Sequence, residues 1–318
     1  MSIYLAQRGM LFVPTLFLVS VVIFILMRVI PGDPALLILD GGGEGSYTQE
    51  DLDALRRELG TERNIFVQYA SWIGDLFQGD LGTSLWDRTP VSDEIKARFP
   101  VTIQLAAMAL LIAVIVAVPL GVLSAVKQDT WYDYVIKVFT ISGVAAPTFW
   151  FGILIIVFLA KVFNWLPPLD FARLWEEPLT NLQQLMLPAL ALGVHDLAFI
   201  ARVTRSSTLE VLREDYIRTA RAKGLGEVVI LFRHALKNAA LPVLTVAGIR
   251  FGALMGGVVL IETIFLVPGT GSLLIDSIGR RDFPFIQSLV LLAALVMLVA
   301  NLVVDLLYAW LDPRIRYT

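Results

Sequence analysis

Six long apolar stretches, separated by segments rich in charged and turn-forming residues, dominate the pattern of the chain. They cover approximately residues 9–30, 101–126, 135–163, 185–200, 239–265 and 285–310. About 20 apolar residues in a helix cross the hydrocarbon core of a bilayer, because each residue adds about 1.5 Å. The pattern therefore predicts an all-α fold, a polytopic membrane protein with about six transmembrane helices.

The segment between the first two stretches, residues 31–100, is predicted to be an ordered loop rather than a linker. Thr48 and Asp51 have the spacing of a capping box, and leucines then recur at helical intervals until Gly60. A second amphipathic piece contains Tyr69 and Trp72. The resulting division is 1–30 for the N-terminus and first span, 31–100 for a loop with short helices, and 101–318 for the membrane core.

Composition supports the membrane assignment and excludes several other classes. Of the 318 residues, 57% are hydrophobic and only 17% are charged, and the mean hydropathy is +0.74. Soluble domains have fewer apolar and more charged residues. The chain has no cysteine, which excludes disulfides and thiolate metal sites.

The distribution of lysine and arginine predicts the orientation in the membrane. The segment 202–238, after the fourth stretch, carries most of the basic residues found between stretches. These are Arg202, Arg205, Arg213, Arg218, Arg221, Lys223, Arg233 and Lys237. The segments after stretches three and five carry only two basic residues each. We therefore expect the even-numbered loops and both termini to be cytoplasmic, and residues 31–100 to lie outside.

The segment 202–238 is predicted to form two short helices at the membrane surface. Leu209, Leu212 and Tyr216 share one helical face, and Gly224 can supply a left-handed cap. A second helical piece is expected over 227–238. Such a structure suits docking into a cytoplasmic partner, but arginines that bind anionic lipid headgroups give an equally good interpretation of the spacing.

Ionisable residues inside apolar stretches are candidates for a transport pathway. His195 and Asp196 lie in the fourth stretch, Glu262 near the end of the fifth, and Asp305 in the sixth. For Asp196 and Glu262 a substrate-pathway role and a structural role remain open. For Asp305 we favour the structural role.

Other potential sites in the sequence lack the residues that their chemistry requires. The glycine-rich run at 41–46 has no Gly-Lys-Ser/Thr, so it is not a phosphate-binding loop. His195 and His234 are the only histidines and form no HExxH pattern, which argues against a metal site. Ser272 has no histidine placed to activate it, so no catalytic residue is assigned.

One segment carries a specific resemblance. Residues 213–250 read REDYIRTARAKGLGEVVILFRHALKNAALPVLTVAGIR. They resemble the coupling-loop signature of ABC importer permeases, in the form found in the dipeptide/oligopeptide/nickel family. The general motif has Glu-Ala-Ala before a glycine, whereas this chain has Arg218-Thr219-Ala220 before Gly224. It also keeps Leu236 but lacks the following proline, and both departures fit the peptide-type variant.

Further motifs extend the resemblance over essentially the whole chain. They are RVIPGDPA at 28–35, GDLGTSL at 79–85, RFPVTIQLA at 98–106, LPALALG at 187–193, ARVTRSS at 201–207, ETIFLVPGTGSLL at 262–274 and DPRIRY at 312–317. Their order and their membrane positions make the combination specific, although each motif alone is weak.

The resemblance implies a type I ABC importer permease in a bacterial or archaeal cytoplasmic membrane. The implied partners are a second homologous permease chain, two ABC ATPase subunits, an extracytoplasmic solute-binding protein and membrane lipid, with no nucleic acid. The chain itself would be no enzyme and would bind no cofactor, and ATP and Mg²⁺ would belong to the ATPases. Coupling to them is assigned to Glu214, Asp215, Tyr216, Thr219, Ala220, Arg221, Ala222, Lys223 and Gly224.

The implied solute is a dipeptide or oligopeptide, and nickel chelates, glutathione and oligosaccharides remain alternatives. An ion-driven secondary transporter is a different class, which would use Asp196 and Glu262 as ion sites. It predicts inverted repeats, and none is visible in the sequence. A purely structural scaffold would leave the coupling segment without a purpose.

Overall fold

The computed structural model describes residues 2–29, 33–40, 47–58, 60–167 and 170–311. The regular secondary structure in these ranges is helical, and within them the only β-type pairing is an isolated antiparallel bridge between Thr83 and Pro90. The all-α prediction is confirmed. The glycine-rich run 41–46, the C-terminal motif at 312–317 and the side chain of Asp305 lie outside the described residues.

The helices are numbered α1 to α13 in chain order, with one π-helical turn between α10 and α11. Their bounds are α1 Ser2–Val29, α2 Pro34–Asp40, α3 Gln49–Glu58, α4 Ile65–Phe77, α5 Val91–Val126, α6 Trp131–Ala145, α7 Thr148–Phe163, α8 Pro178–Leu212, α9 Asp215–Ala222, α10 Glu227–Val229, the π-helix Ile230–Ala235, α11 Leu236–Phe265, α12 Thr270–Arg280 and α13 Phe283–Leu311.

Among the described residues, five helical segments are long and apolar enough to cross a membrane. They are Phe12–Val29, Val91–Val126, Pro178–Leu212, Glu227–Phe265 and Phe283–Val304. The bent pair formed by α6 and α7 supplies a sixth crossing if it is counted as one span. The protein is therefore a multi-pass membrane protein, as the apolar pattern predicts.

Two of the predicted spans differ from the structure. The third, expected to be continuous over 135–163, is bent by 103° between α6 and α7. Ala146 is extended there, because the residue before a proline is disfavoured in the helical region and Pro147 follows. The fourth, expected only over 185–200, extends through polar residues at both ends and continues across Pro188.

The chain divides into two units. One contains Pro100–Ser272 and Val296–Thr318 with Met1–Leu5, and the other contains Ala6–Phe99 with Leu273–Leu295.

Small residues allow α5 and α8 to approach closely in the first unit. A side chain on Gly193 would lie 2.8 Å from the carbonyl oxygen of Ala109, and one on Gly121 would lie 2.6 Å from that of Ala201. Buried leucines, valines and alanines of α5, α8 and α11 form the core around these contacts. Close backbone approach at small residues is the usual way in which membrane helices pack.

The second unit is built on aromatic contacts and helix caps. Tyr69 and Trp72 of α4 pack on Phe24 of α1, with ring centroids 5.2 and 5.9 Å from it. Thr48 and Asp51 form the predicted capping box, because each backbone N–H donates to the other's side chain. The Thr48 hydroxyl also donates to the Asp51 carboxylate at 2.7 Å, and this hydrogen bond, together with the one from the Thr48 backbone N–H, holds the pKa of Asp51 below its ordinary value.

Candidate coupling helix and buried carboxylates

The candidate coupling helix α9 is separated from α8 by a sharp break. The α8 helix ends at Leu212, Glu214 is extended with φ −65° and ψ 148°, and α9 begins at Asp215. The expected single helical face through Leu209, Leu212 and Tyr216 is therefore wrong, since the break separates Tyr216 from the two leucines. An acid in the first turn, Asp215, favours a new helix start because it interacts with unpaired N–H groups.

One side of α9 is anchored in its own chain. Ile217 is fully buried, and Ala220 is 8% exposed, against Ile230 and Ala235 of the π-helix. This burial corrects one expectation. Ala220, which the resemblance assigned to coupling with the ATPases, belongs to the interior side of α9, because the π-helix already occupies the position that a partner would take.

The segment after α9 also differs from the expected separate surface helix over 227–238. Helix α10, the π-helix and α11 follow one another without a loop, so the segment runs directly into the fifth span. Tyr216 accepts a hydrogen bond from the Asn238 side chain at 2.7 Å, which joins α9 to the beginning of α11. Packing against the π-helix and this hydrogen bond therefore join α9 to the helical segment that continues into the fifth span.

The other side of α9 and the turn after it are exposed. Glu214, Asp215, Tyr216, Arg218, Thr219, Arg221, Ala222, Lys223 and Gly224 all lie on this exposed surface. Gly224 has φ +79°, which confirms the predicted left-handed residue at the end of the helix. Arg221 pairs with Glu227 at 2.8 Å, and this hydrogen bond raises the pKa of Arg221 above its ordinary value.

Exposed apolar residues extend this surface beyond the residues that the sequence singled out. Val228 is 69% exposed and Phe232 is 66% exposed, and Leu225 and Val229 are also exposed. Their signal in the sequence was an apolar run directly after the Gly224 turn, within the second helical piece that was expected over 227–238. An exposed apolar patch next to charged residues is typical of a surface that contacts another protein or the membrane.

A buried ionic cluster lies close to the end of α8 that leads to α9. The Asp133 carboxylate of α6 is fully buried and accepts hydrogen bonds from Arg205 of α8 at 2.8 and 2.9 Å. It also accepts from Ser124 of α5 at 2.5 Å and pairs with Lys137 at 2.8 Å. This cluster was not among the predicted sites, although the Asp133–Lys137 spacing of four residues was a visible signal.

Asp196 lies in a buried pair with an arginine that the sequence analysis overlooked. It is 4% exposed, and the Arg250 Nε lies 3.3 Å from its carboxylate. His195 lies 3.5 Å from the same guanidinium, which also lies over the Phe199 ring at 4.1 Å. An arginine inside the apolar stretch 239–265 was the missed signal. The pairing favours the structural interpretation of Asp196.

Glu262 is fully buried and organises the start of α12. Its carboxylate accepts hydrogen bonds from the Thr102 hydroxyl at 2.7 Å and from the backbone N–H groups of Gly271 and Ser272 at 2.8 and 3.0 Å. A side chain on Gly269 would collide with this carboxylate. These contacts explain the Gly-Thr-Gly-Ser sequence as a cap and favour a structural role for Glu262.

Comparison with known proteins supports the resemblance. Residues 117–317 match the family described as binding-protein-dependent transport system inner membrane component, and residues 1–106 match the N-terminal region of such components. A crystal structure of an amino acid ABC transporter with histidines contains a chain with the same fold. Its TM-score is 0.54 at 15% identity, over 69% of this chain and 94% of that one.

Relatives that match along their full length give the same result. The dipeptide transport system permease protein DppB of Alkalihalophilus pseudofirmus is 41% identical, and the oligopeptide transport system permease protein AppB of Bacillus subtilis is 39% identical, each over 100% of both chains. The glutathione transport system permease protein GsiC of Escherichia coli is 40% identical over 99% of both. The chain therefore belongs to the family of binding-protein-dependent transport system inner membrane components.

Proposed function

We propose that this chain is one of two permease subunits in an ABC importer for peptides, and that α9 couples it to an ATPase. The proposal rests on sequence identity of 41% and 39%, over the full length, to permeases named for dipeptides and oligopeptides. The exposed side of α9 supports it. The second permease subunit would be a homologous chain. Together the two would enclose the translocation pathway.

The exposed side of α9 supports a docking role. Its charged residues, together with Val228 and Phe232, form a mixed polar and apolar surface of the kind that partners cover. Ile217 and Tyr216 fix α9 to the π-helix and to α11, so α9 can act as a rigid lever. Each permease would dock on one ATPase subunit, which binds ATP and Mg²⁺ and hydrolyses the nucleotide.

The proposal includes an orientation. The basic segment 202–238 lies on the cytoplasmic side with both termini, and residues 31–100 lie on the opposite side. There the loop with α3 and α4 would meet the solute-binding protein. Closure of the ATPases would then be transmitted through α9 as a rigid-body movement of the membrane helices.

A second substrate class has a specific observation in its favour. The glutathione permease is 40% identical to this chain and the dipeptide permease 41%, a difference too small to separate the two solutes. Glutathione is itself a tripeptide. Peptides of two or three residues are therefore the class to test first.

Uptake and cross-linking test the two parts of the proposal separately. The chain, its partner permease, the ATPases and the binding protein are placed in proteoliposomes, and uptake of labelled dipeptides, tetrapeptides and glutathione is compared. We expect ATP-dependent uptake of short peptides. Thr219→Cys should cross-link to an ATPase subunit, whereas Thr263→Cys, exposed near the far end of α11, should not. Uptake driven by an ion gradient without ATPases would overturn the proposal.

A further inference from the structure

A cavity of about 300 Å³ lies between α6 and α8, within the unit that contains Pro100–Ser272. Its walls come from the end of α5, the second and third turns of α6 and the last third of α8. Ligand pockets usually have volumes of about 300–1,000 Å³, so this one is at the small end of the range. It therefore suits a compact group rather than a whole large molecule.

The polar part of the cavity wall is basic. Lys137, Arg202 and Arg205 line it, and none of the described lining residues is acidic. The Asp133 carboxylate is fully buried behind the wall, where Arg205 and Lys137 hold it. Asp129, in the turn before α6, also acts on Arg205 electrostatically. Three cations therefore face two carboxylates, and the remaining positive charge favours an anionic ligand.

The wall also retains hydrogen-bond donors that a ligand can use. Arg202 is exposed and forms no hydrogen bond or ion pair with any described residue. The Lys137 ammonium has three donors and pairs only with Asp133, and Arg205 donates to Asp133 through Nε and Nη2 but not through Nη1. The side chains of Lys137 and Arg205 are 34% and 21% exposed, so their remaining donors are accessible from the surface.

Apolar and aromatic side chains surround the cavity on the exposed side of α6. Trp131 is 63% exposed and Tyr134 is 56% exposed, and Val138 and Ile141 are exposed to a similar extent. Tryptophan and tyrosine are enriched where a membrane helix meets the water interface. Lys137 follows Trp131 by six residues, or about 9 Å along the helix at about 1.5 Å per residue. This pattern places the cations near the headgroup level and the exposed apolar residues against hydrocarbon.

We propose that this cavity binds the phosphate headgroup of an anionic phospholipid. The phosphate oxygens accept from Arg202 and Lys137, and the acyl chains lie along the exposed side of α6. Basic pockets between membrane helices recognise lipid headgroups in this way, and arginine–phosphate hydrogen bonds are strong because both groups are charged. The site lies apart from α9 and from Asp196 and Glu262, and it does not depend on which solute is transported.

Native mass spectrometry of the full chain in detergent tests this site. The probe is phosphatidylglycerol, and zwitterionic phosphatidylcholine with the same acyl chains, at the same concentration, is the matched comparison. Phosphatidylglycerol should be retained at least about fivefold better, the factor that one cation contributes near a membrane surface. Equal retention of the two lipids would overturn the proposal. Displacement of phosphatidylglycerol by an equal concentration of glycerol phosphate would also overturn it, because the site would then select a soluble phosphate.

Variants separate a specific site from general attraction by the basic segment. Arg202→Gln should reduce the preference for phosphatidylglycerol by about fivefold, and Arg202→Lys should keep most of it. Ser206→Trp, at an exposed wall position, fills the cavity without changing any charge and should also reduce the preference. Arg233→Gln removes an exposed arginine outside the cavity and should bind like the unmodified chain. Equal losses in Arg202→Gln and Arg233→Gln, or normal preference in Ser206→Trp, would contradict a site in this cavity.

The same measurement on the assembled transporter tests whether lipid or protein covers this side of α6. The preference for phosphatidylglycerol should persist when the partner permease and the ATPases are bound, because the exposed apolar residues beside the cavity then still face the bilayer. Loss of the preference on assembly would show that a partner chain occupies this face, and the lipid assignment would be wrong.

Discussion

Asp133 and Arg205 are joined by two parallel hydrogen bonds of 2.8 and 2.9 Å, although they are 72 residues apart in the sequence. The pair connects α6 to α8 seven residues before α8 ends, and the Ser124 contact adds α5. Three membrane helices therefore meet at one carboxylate. Because α9 follows directly after α8, this cluster is placed to keep the end of α8 rigid.

Removal of the Asp133 charge is expected to destabilise the protein strongly. Asp133→Asn leaves the Arg205 and Lys137 cations without a carboxylate, and loss of one member of a buried pair typically costs about 3–5 kcal/mol. Thermal unfolding in detergent measures the effect. The control Asp93→Asn breaks an exposed pair with Lys96 and should cost at most about 1 kcal/mol.

A double-mutant cycle gives a sharper version of this test. The double variant with Asp133→Asn and Arg205→Gln should lose less unfolding free energy than the two single variants lose in total. The reason is that each substitution is costly mainly because it leaves the other residue charged and without its partner. Additive losses of stability, or an Asp133→Asn variant as stable as Asp93→Asn, would show that the Asp133 cluster does not stabilise the packing of these helices.

Replacing Ala220 or Ala222 of α9 by leucine should distinguish a role in packing from a role in docking. Ala220 is buried against the π-helix, so Ala220→Leu should destabilise the protein by about 1–3 kcal/mol. Ala222 is exposed, so Ala222→Leu should change stability by no more than about 0.5 kcal/mol. If α9 docks on an ATPase, Ala222→Leu should still abolish stimulation of ATP hydrolysis by the loaded binding protein. Normal stimulation would contradict docking at this side of α9.

Two glycines in the turn after α9 offer a matched pair. Gly224 has φ +79° and Gly226 has φ −67°, and neither would bring an added side chain within 4 Å of another atom. Gly224→Ala should cost about 1–2 kcal/mol through backbone strain alone. Gly226→Ala should be neutral or slightly stabilising. Hydrogen exchange of the α9 amides should be faster in Gly224→Ala than in Gly226→Ala. Equal protection in the two variants would refute the expected strain at Gly224.

The membrane helices could be predicted from the sequence because each is a single apolar run. The bend between α6 and α7 could not, since Pro119, Pro188 and Pro242 lie within continuous helices whereas Pro147 ends one. The local sequence around these prolines does not distinguish the two outcomes.

In the candidate site, the sequence predicts only those features that depend on the local backbone of a single element. The left-handed Gly224 follows from a glycine after a short helix, and this prediction is confirmed. The inward position of Ala220 depends on Ile230 and Ala235, and the Asp196–Arg250 pair joins two helices. Periodicity within one element carries no information about such contacts between elements.

Glu262 provides a test between a pathway role and a structural role. Its carboxylate accepts from Thr102 and from two backbone N–H groups, and Glu262→Gln would turn an NH₂ group toward one of these donors. We expect a loss of about 1–3 kcal/mol and less folded protein in the membrane. The KM for transported peptide, measured on the folded fraction, should stay unchanged. A raised KM at normal protein levels would instead place Glu262 in contact with the solute.

The bent pair α6–α7 decides the topology of the chain. If the pair crosses the bilayer, the turn at Asp129 and the turn at Asn164 lie on opposite sides, and six crossings put both termini on one side. The basic segment 202–238 then places Asp129 and both termini in the cytoplasm. Single cysteines at Asp129 and Asn164, in this chain without native cysteine, can be labelled with a membrane-impermeant maleimide in intact cells. We expect labelling at Asn164 only. Labelling of neither or of both would mean that α6 and α7 form a re-entrant loop, and the two termini would then lie on opposite sides because only five crossings remain.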